Sequence, residues 1–206
     1  FKPLTFGLIY GAGATTLAEN AGIPKMEAAR FVETFYKRYP GVREWHATMM
    51  REAKAERVPG AKRTKLGFPA GTCTYVCPMS GRHYIFTETD GFRPGEPSFS
   101  PTELKNYPIQ GLATGDWHQF ATGTLAMKLW SNRLLVDQAL MVLTIHDSLM
   151  FDVHVDVLKP FMEFLKETYE GMAAEWHRHF GTEWGIPPKF EAKYGPNWAV
   201  MNEWKY

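Results

Sequence analysis

The sequence predicts an α+β fold, with a helical segment first and short antiparallel strands packed with helices after it. Three observations carry that expectation. Apolar residues recur at helical spacing over residues 15–57, two short β-rich runs flank Ser80-Gly81, and two longer apolar runs are separated only by His146-Asp147-Ser148. Helices and strands that segregate along a chain, rather than alternate, belong to α+β architectures.

Taken in order, Lys2, Phe6 and Tyr10 are spaced by four and line one face of a first helix, which Pro3 tolerates only if the helix starts there. Ala28, Phe31, Val32, Phe35 and Tyr36 form an apolar stripe in a region interrupted at Gly22-Ile23-Pro24 and Tyr39-Pro40-Gly41, which makes three short helices with two breaks. Residues 58–95 mix Gly, Pro and Thr; within them Thr72-Cys73-Thr74-Tyr75-Val76 and His83-Tyr84-Ile85-Phe86 predict a hairpin or two paired short strands. Residues 94–101 read as a Gly, Pro and Ser loop. Ala113, Trp117, Phe120, Leu125 and Met127 then mark a long helix to about Ser131, its start blurred by Pro108.

The runs 139–145 and 149–155 predict two strands joined by a tight turn that presents His146, Asp147 and Ser148 at its tip. A last helix over 157–180 places Phe161, Phe164, Leu165, Met172 and Trp176 on its apolar side, and a tail broken by Pro and Gly follows.

Composition bounds the function. With 23 Lys+Arg against 22 Asp+Glu the formal charge is +1, so binding to a polyanion has to come from local patches. Such patches occur at Arg51, Lys54, Arg57 and at Lys62, Arg63, Lys65; they suit phosphate tracking on a nucleic acid, and equally an ordinary solvated face. Two cysteines, Cys73 and Cys77, are too few for a disulfide scaffold and lack the second pair of a zinc site. No apolar run reaches the roughly 20 residues a membrane helix needs, and no secretion signal is visible. The expectation is a soluble, cytoplasmic protein without a membrane partner.

Two groups of residues point to chemistry. Asp147, held between apolar strands, suits a hard cation such as magnesium, although local pattern alone favours an ordinary turn aspartate. A metal phosphohydrolase built on His146-Asp147 would need further ligands, and His46, His83, His118, His154, His177 and His179 show no metal-ligand spacing. Lys2, Phe6 and Tyr10 form a cation followed by two aromatic rings, a stripe suited to triphosphate, sugar and base, with an amphipathic core helix as the alternative.

The run Lys2-Pro3-Leu4-Thr5-Phe6-Gly7-Leu8-Ile9-Tyr10-Gly11 resembles the fingers motif of family A DNA polymerases. Four further runs are similar to that family in the same order: Phe35-Tyr36-Lys37-Arg38-Tyr39-Pro40-Gly41-Val42, Asn106-Tyr107-Pro108-Ile109-Gln110-Gly111, His146-Asp147, and Gly195-Pro196-Asn197-Trp198-Ala199, the last resembling phage members. Five collinear matches cover nearly the whole chain.

The resemblance implies a partial right-hand polymerase of the phage type, residues 1–80 giving the fingers portion and 81–206 an antiparallel-sheet palm portion. It implies that Lys2 contacts the phosphates of an incoming dNTP and assists catalysis, that Phe6 packs on its sugar, and that Tyr10 occupies the templating position until the fingers close. It further implies that Asn106, Gln110 and His146 contact primer-template DNA, and that Asp147 is the catalytic ligand of Mg2+ in a two-metal site.

Three departures accompany it. Ser148 stands where bacterial members usually have Glu, and Thr102 where an arginine usually precedes the minor-groove Asn. The family's other catalytic aspartate lies N-terminal to the fingers motif, and Phe1 stands almost inside that motif. The chain is therefore expected to be a C-terminal part, inactive alone and completed by an N-terminal polymerase chain or segment. The alternative is a non-catalytic DNA- and nucleotide-binding half of a split polymerase.

Overall fold

A computed structural model describes residues 2–93 and 95–205, with the side chains of Lys2 and Pro3 outside the described part. Helices and small antiparallel sheets compose the fold, as the α+β expectation has it, in two compact units, Phe1–Leu112 and Ala113–Tyr206.

The first unit opens with α1 (Lys2–Ile9), α2 (Ala14–Ala21), α3 (Lys25–Arg38) and α4 (Pro40–Ala55). The breaks fall where Gly and Pro demand them. Gly22 ends α2 in the left-handed region at φ 65°, Pro24 precedes α3, and Pro40 opens α4 where its missing N–H costs nothing. The apolar stripe is buried as its spacing requires: Leu8, Leu17, Ala28 and Phe35 form one core, with Phe31, Val32 and Tyr36 packed on it.

Next come β1 (Val58–Arg63), β2 (Pro69–Val76) and β3 (His83–Thr87), an antiparallel sheet in that order, and then α5 (Pro101–Gln110). β2 and β3 pair from Thr72 opposite Thr87 to Val76 opposite His83, the hairpin anticipated at Ser80-Gly81. A boundary at 80/81 thus falls in the turn of this hairpin, whereas the compact units divide between Leu112 and Ala113. β1 was not anticipated, because Val-Pro-Gly-Ala-Lys-Arg has neither alternation nor β-branched density. Its Gly60 lies so close to β2 that a Cβ would come within 2.6 Å of the Ala70 carbonyl oxygen, leaving room only for glycine. Ala53 of α4, Cys73 and Phe86 of the sheet, Phe99 just before α5 and Leu104 of α5 form a second core.

α5 starts earlier than the expected long helix. The Ser100 hydroxyl caps it by accepting from the Glu103 N–H, and Pro101 takes the first helical position, so the Pro-rich loop ends as a helix start. Past Pro108 the chain widens into a π-helical segment, Gly111–Trp117, and only then forms α6 (His118–Ser131).

In the second unit β4 (Ala139–Ile145) and β5 (Ser148–Val153) make a hairpin in which Ile145 faces Ser148, with an irregularity between Met141 and Leu143. α7 (Leu158–Glu170) and α8 (Met172–Phe180) replace the single expected helix, the break falling at Gly171. Leu125, Leu129, Phe161, Met162 and Leu165 form the core of this unit, with Met141, Leu149 and Phe151 of the hairpin packed against it. Trp176 is fully buried against Trp117, Phe120 and Trp184, while Met127, expected on the apolar side, is exposed. The tail forms a second small hairpin, β6 (Lys193–Asn197) and β7 (Val200–Glu203). The Asn197 side chain builds its turn by accepting from the N–H groups of Ala199 and Val200 at 3.0 and 3.2 Å.

One ion pair ties the end of α4 to the sheet. Arg57 Nε and Nη2 each donate to the Glu88 carboxylate at 2.8 Å, and the Gly71 N–H donates to the same group at 2.6 Å. Glu88 is buried, and the Arg57 hydrogen bonds, aided by the Gly71 N–H, hold its carboxyl below the usual carboxylate range. A carboxyl depressed on folding stabilises above its unfolded pKa, about 4.3, and loses that contribution as pH falls through the folded value. Thermal melts of wild type and Glu88→Gln between pH 7 and pH 3 should therefore show the variant less stable at pH 7 and the difference shrinking toward pH 3. A gap that does not vary with pH would exclude the linkage.

Candidate active site

α1 carries the aromatic stripe. The Phe6 and Tyr10 rings stack at 6.2 Å between centroids, 30° apart; Phe6 remains 44% exposed and Tyr10 is half-buried, so the stripe is open at Phe6. The backbone of Lys2 opens the helix; its side chain lies outside the described residues.

At the other end the helix stops in two linked backbone bonds. Gly11 N–H donates to Leu8 O at 2.9 Å and Ala12 N–H to Gly7 O at 2.8 Å, while Gly11 takes φ 80°. This is the Schellman arrangement, which requires a residue free to enter the left-handed region. The Lys105 side chain lies across Gly11, its Nζ 2.7 Å from where a Cβ would stand, and burial lowers the pKa of that ammonium.

Tyr10 then meets α5. Its hydroxyl accepts from Gln110 Nε2 at 3.1 Å, joining two of the predicted site residues across 100 positions of sequence. One turn earlier on α5, the Asn106 Oδ1 is buried without a hydrogen-bond partner, an acceptor left over for a donor that the described residues do not supply. The structure therefore gathers Phe6, Tyr10 and Gln110 in the first unit, with Asn106 on the same helix as Gln110.

His146 and Asp147 belong to the second unit. They form the two-residue turn between β4 and β5, and both are exposed. His146 has φ 53°, the one positive φ outside glycine among the described residues. A two-residue hairpin turn needs such a value at its first position, and histidine takes it more readily than β-branched residues do. Among the described residues no three His, Cys, Asp or Glu side chains gather into a metal-holding group. The donor chemistry at Asp147 suits a hard cation, but as a single ligand: magnesium is commonly held by one or two carboxylates together with substrate phosphates.

Several basic residues are differently engaged than their clustering suggests. Arg57 bonds to Glu88, Arg63 donates to the Gly67 carbonyl at 2.7 Å, and Arg51 to the Thr48 hydroxyl at 3.1 Å, while all six basic residues of the two clusters stay exposed. His46, passed over in the sequence for lack of metal-ligand spacing, is buried and bonds to the Ile9 carbonyl and the Tyr36 hydroxyl. No spacing rule reveals this pair, since it joins α1, α3 and α4 through tertiary packing.

A family model for DNA polymerase family A matches residues 1–200. The chain belongs to DNA polymerase family A. Bacterial relatives are similar along almost its whole length: DNA polymerase I of Geobacillus stearothermophilus is 26% identical over 197 residues, covering 96% of this chain and 19% of that protein. DNA polymerase I of Deinococcus radiodurans is 27% identical, again over 96% of this chain but 17% of the relative. The chain thus spans about a fifth of the length of the curated relatives it matches. Among solved structures, the POL domain of Pol1 from M. smegmatis, in complex with DNA primer-template and dNTP, aligns with a TM-score of 0.54 at 23% identity. That alignment covers 84% of this chain and 26% of the other, a likeness of fold.

Gly11 offers a direct check on the geometry at the end of α1. Gly11→Ala should destabilise the chain by roughly 1–2 kcal/mol, the cost of an L-residue in the left-handed region. Urea denaturation measures it. Repeating the substitution in a Lys105→Ala background removes the side-chain contact but leaves the φ penalty, so most of the loss should persist.

Proposed function

We propose that this chain is the fingers-and-palm part of a template-directed DNA polymerase of the phage type, which transfers a nucleotide from a dNTP to a primer 3′ hydroxyl. The Tyr10–Gln110 hydrogen bond is the observation that carries this reading: it joins a residue expected at the nucleotide to one expected in the primer-template minor groove. The phage assignment rests on the Gly195–Ala199 run and on Ser148 in place of the bacterial Glu. In this reading residues 1–80 work as the fingers portion and 81–206 as the palm portion, in the host cytoplasm.

Each residue then has a task set by its chemistry. Lys2 places a cation at the triphosphate, where charge builds as pyrophosphate departs. Phe6 offers its open face to the sugar. Tyr10, stacked on Phe6 and bonded to Gln110, holds the templating position and yields it when the fingers close on a correct pair. Asn106 and Gln110 bond the minor-groove edges that correct base pairs share, so they test geometry without reading sequence. His146 lies against the primer strand, and Asp147 supplies one oxygen ligand to Mg2+. When bound, two Mg2+ ions would lower the pKa of the attacking hydroxyl and offset charge on the leaving oxygens. Further ligands would come from the triphosphate and from an N-terminal polymerase segment or chain.

Primer extension tests this. The chain is assayed alone and after joining or mixing with the N-terminal part of a family A polymerase. Extension only in the second case supports the proposal and also covers a split polymerase; extension by the chain alone contradicts the need for a second acidic segment. In the active form Asp147→Ala should cut extension about a thousandfold, a loss of several kcal/mol of transition-state stabilisation, with DNA affinity nearly unchanged. Equal loss of both would count against a metal role. Phe6→Tyr should raise dideoxynucleotide incorporation, which a gel of chain-terminated products reads directly.

A further inference from the structure

Every helix leaves its last carbonyls without partners of its own. At the end of α1 three are closed locally: Phe6 O accepts from Tyr10 N–H at 3.0 Å, and Gly7 O and Leu8 O accept from Ala12 and Gly11. The Ile9 carbonyl is closed from another helix. His46 of α4, 4% exposed, sets its Nε2 2.8 Å from Ile9 O, and its Nδ1 lies 3.0 Å from the Tyr36 hydroxyl of α3.

The partners decide the tautomer. A carbonyl only accepts, so Nε2 carries the proton, and the Nδ1 of a neutral ring accepts from the Tyr36 O–H. Burial lowers the His46 pKa, and the Lys105 charge adds to that against the opposing pull of the Ile9 bond, so the ring stays neutral with one donor and one acceptor. Tyr36 in turn keeps its proton, because burial raises its phenol.

The consequence reaches Tyr10. The Ile9 oxygen lies in the same rigid peptide plane as the Tyr10 nitrogen and Cα. Fixing that oxygen fixes the orientation of the plane, and with the next peptide held by the Gly11 N–H bond to Leu8 O it limits the direction in which the Tyr10 side chain leaves the helix toward Phe6 and Gln110. Gly11, the next residue, is held under Lys105. We propose that His46 is a positioning residue for Tyr10, acting through the Ile9–Tyr10 peptide plane, with Tyr36 holding its tautomer. That the position of Tyr10 governs nucleotide selection rests on the polymerase reading; the coupling between His46 and Tyr10 does not.

The Gln110 side-chain amide reports the coupling, because it donates to Tyr10. Its NMR resonances would be assigned in wild type and in Tyr10→Phe, which gives the position of an amide without that acceptor. His46→Leu should move the Gln110 amide to the Tyr10→Phe position and speed its hydrogen exchange, while the cross-peaks of β2 and β3 stay in place. His46→Gln, which keeps an N–H donor, should restore the wild-type position. Tyr36→Phe removes one oxygen from a folded core and should produce a partial shift in the same direction, so the test stands even if His46→Leu fails to fold. An unmoved Gln110 amide in both His46→Leu and Tyr36→Phe, or a His46→Gln spectrum that matches Tyr10→Phe, would overturn the proposal. Adding primer-template DNA and dNTP to wild type separates the two readings. A Gln110 amide that responds to the variants but, with the chain joined to the N-terminal part of a family A polymerase, not to DNA sinks the polymerase role of the stripe and leaves the coupling standing.

Discussion

The hydrogen-bonding demand of a helix terminus governs the first unit. α1 is eight residues long, too short to be stable alone, and its order depends on what its ends find outside it. At its C-terminal end Gly11 turns the chain, two backbone N–H groups close Gly7 and Leu8, and His46 closes Ile9. Leu8 of the same helix is fully buried in the core with Leu17, Ala28 and Phe35, so apolar packing on one side and carbonyl satisfaction at the end fix the helix in two independent ways. The exposed face carrying Phe6 is therefore held from behind. None of these fixing interactions uses the exposed face of Phe6, the arrangement by which rigid elements keep a face free.

The sheet of the first unit obeys a different constraint. Strand pairing of β1 with β2 is irregular and offers little side-chain burial, so the edge needs another anchor. The buried Glu88 carboxylate provides one by receiving Arg57 from the end of α4 and the Gly71 N–H from β2. A buried carboxylate is costly unless its oxygens are all engaged, and here three N–H donors engage them. In the sequence Arg57 belongs to a basic cluster that suits phosphate tracking and equally a solvated face. Its partner, Glu88, lies 31 positions away, beyond the reach of any local pattern.

That contrast explains how much of the molecule was legible beforehand. Breaks at Gly22 and Pro40, the β2–β3 hairpin and the β4–β5 hairpin follow from local chemistry, namely left-handed backbone, ring-fixed φ and β-branched density, all written in adjacent residues. β1 and the tail hairpin were not legible, since Gly60 fits only because a neighbouring strand approaches, and Asn197 forms its turn with a side chain common in any loop. The candidate site divides in the same way. Spacing by four was enough to place Phe6 and Tyr10 on one face, and the resemblance named Gln110, but the bond between Tyr10 and Gln110 and the support from His46 and Tyr36 are tertiary. Periodicity reports which face a residue occupies and is silent about which distant group it meets.

The β4–β5 turn shows how strand geometry and acid chemistry serve each other. A two-residue turn is the shortest link that lets antiparallel strands pair to their ends, and here the register runs to Ile145 opposite Ser148. Such a turn fixes its two side chains far more tightly than a long loop does, since no free backbone remains between them and the ladder. Glycine or asparagine is the usual first residue, yet His146 takes the left-handed value instead. Choosing a histidine gives up some backbone ease in exchange for an imidazole at the tip, beside a carboxylate whose strands are anchored on the core through Met141, Leu149 and Phe151. An observed departure from the easiest turn residue argues for a task at that tip. A rigid, exposed carboxylate is well suited to a cation delivered together with a phosphorylated substrate, because it presents an oxygen without having to be dug out of the protein interior.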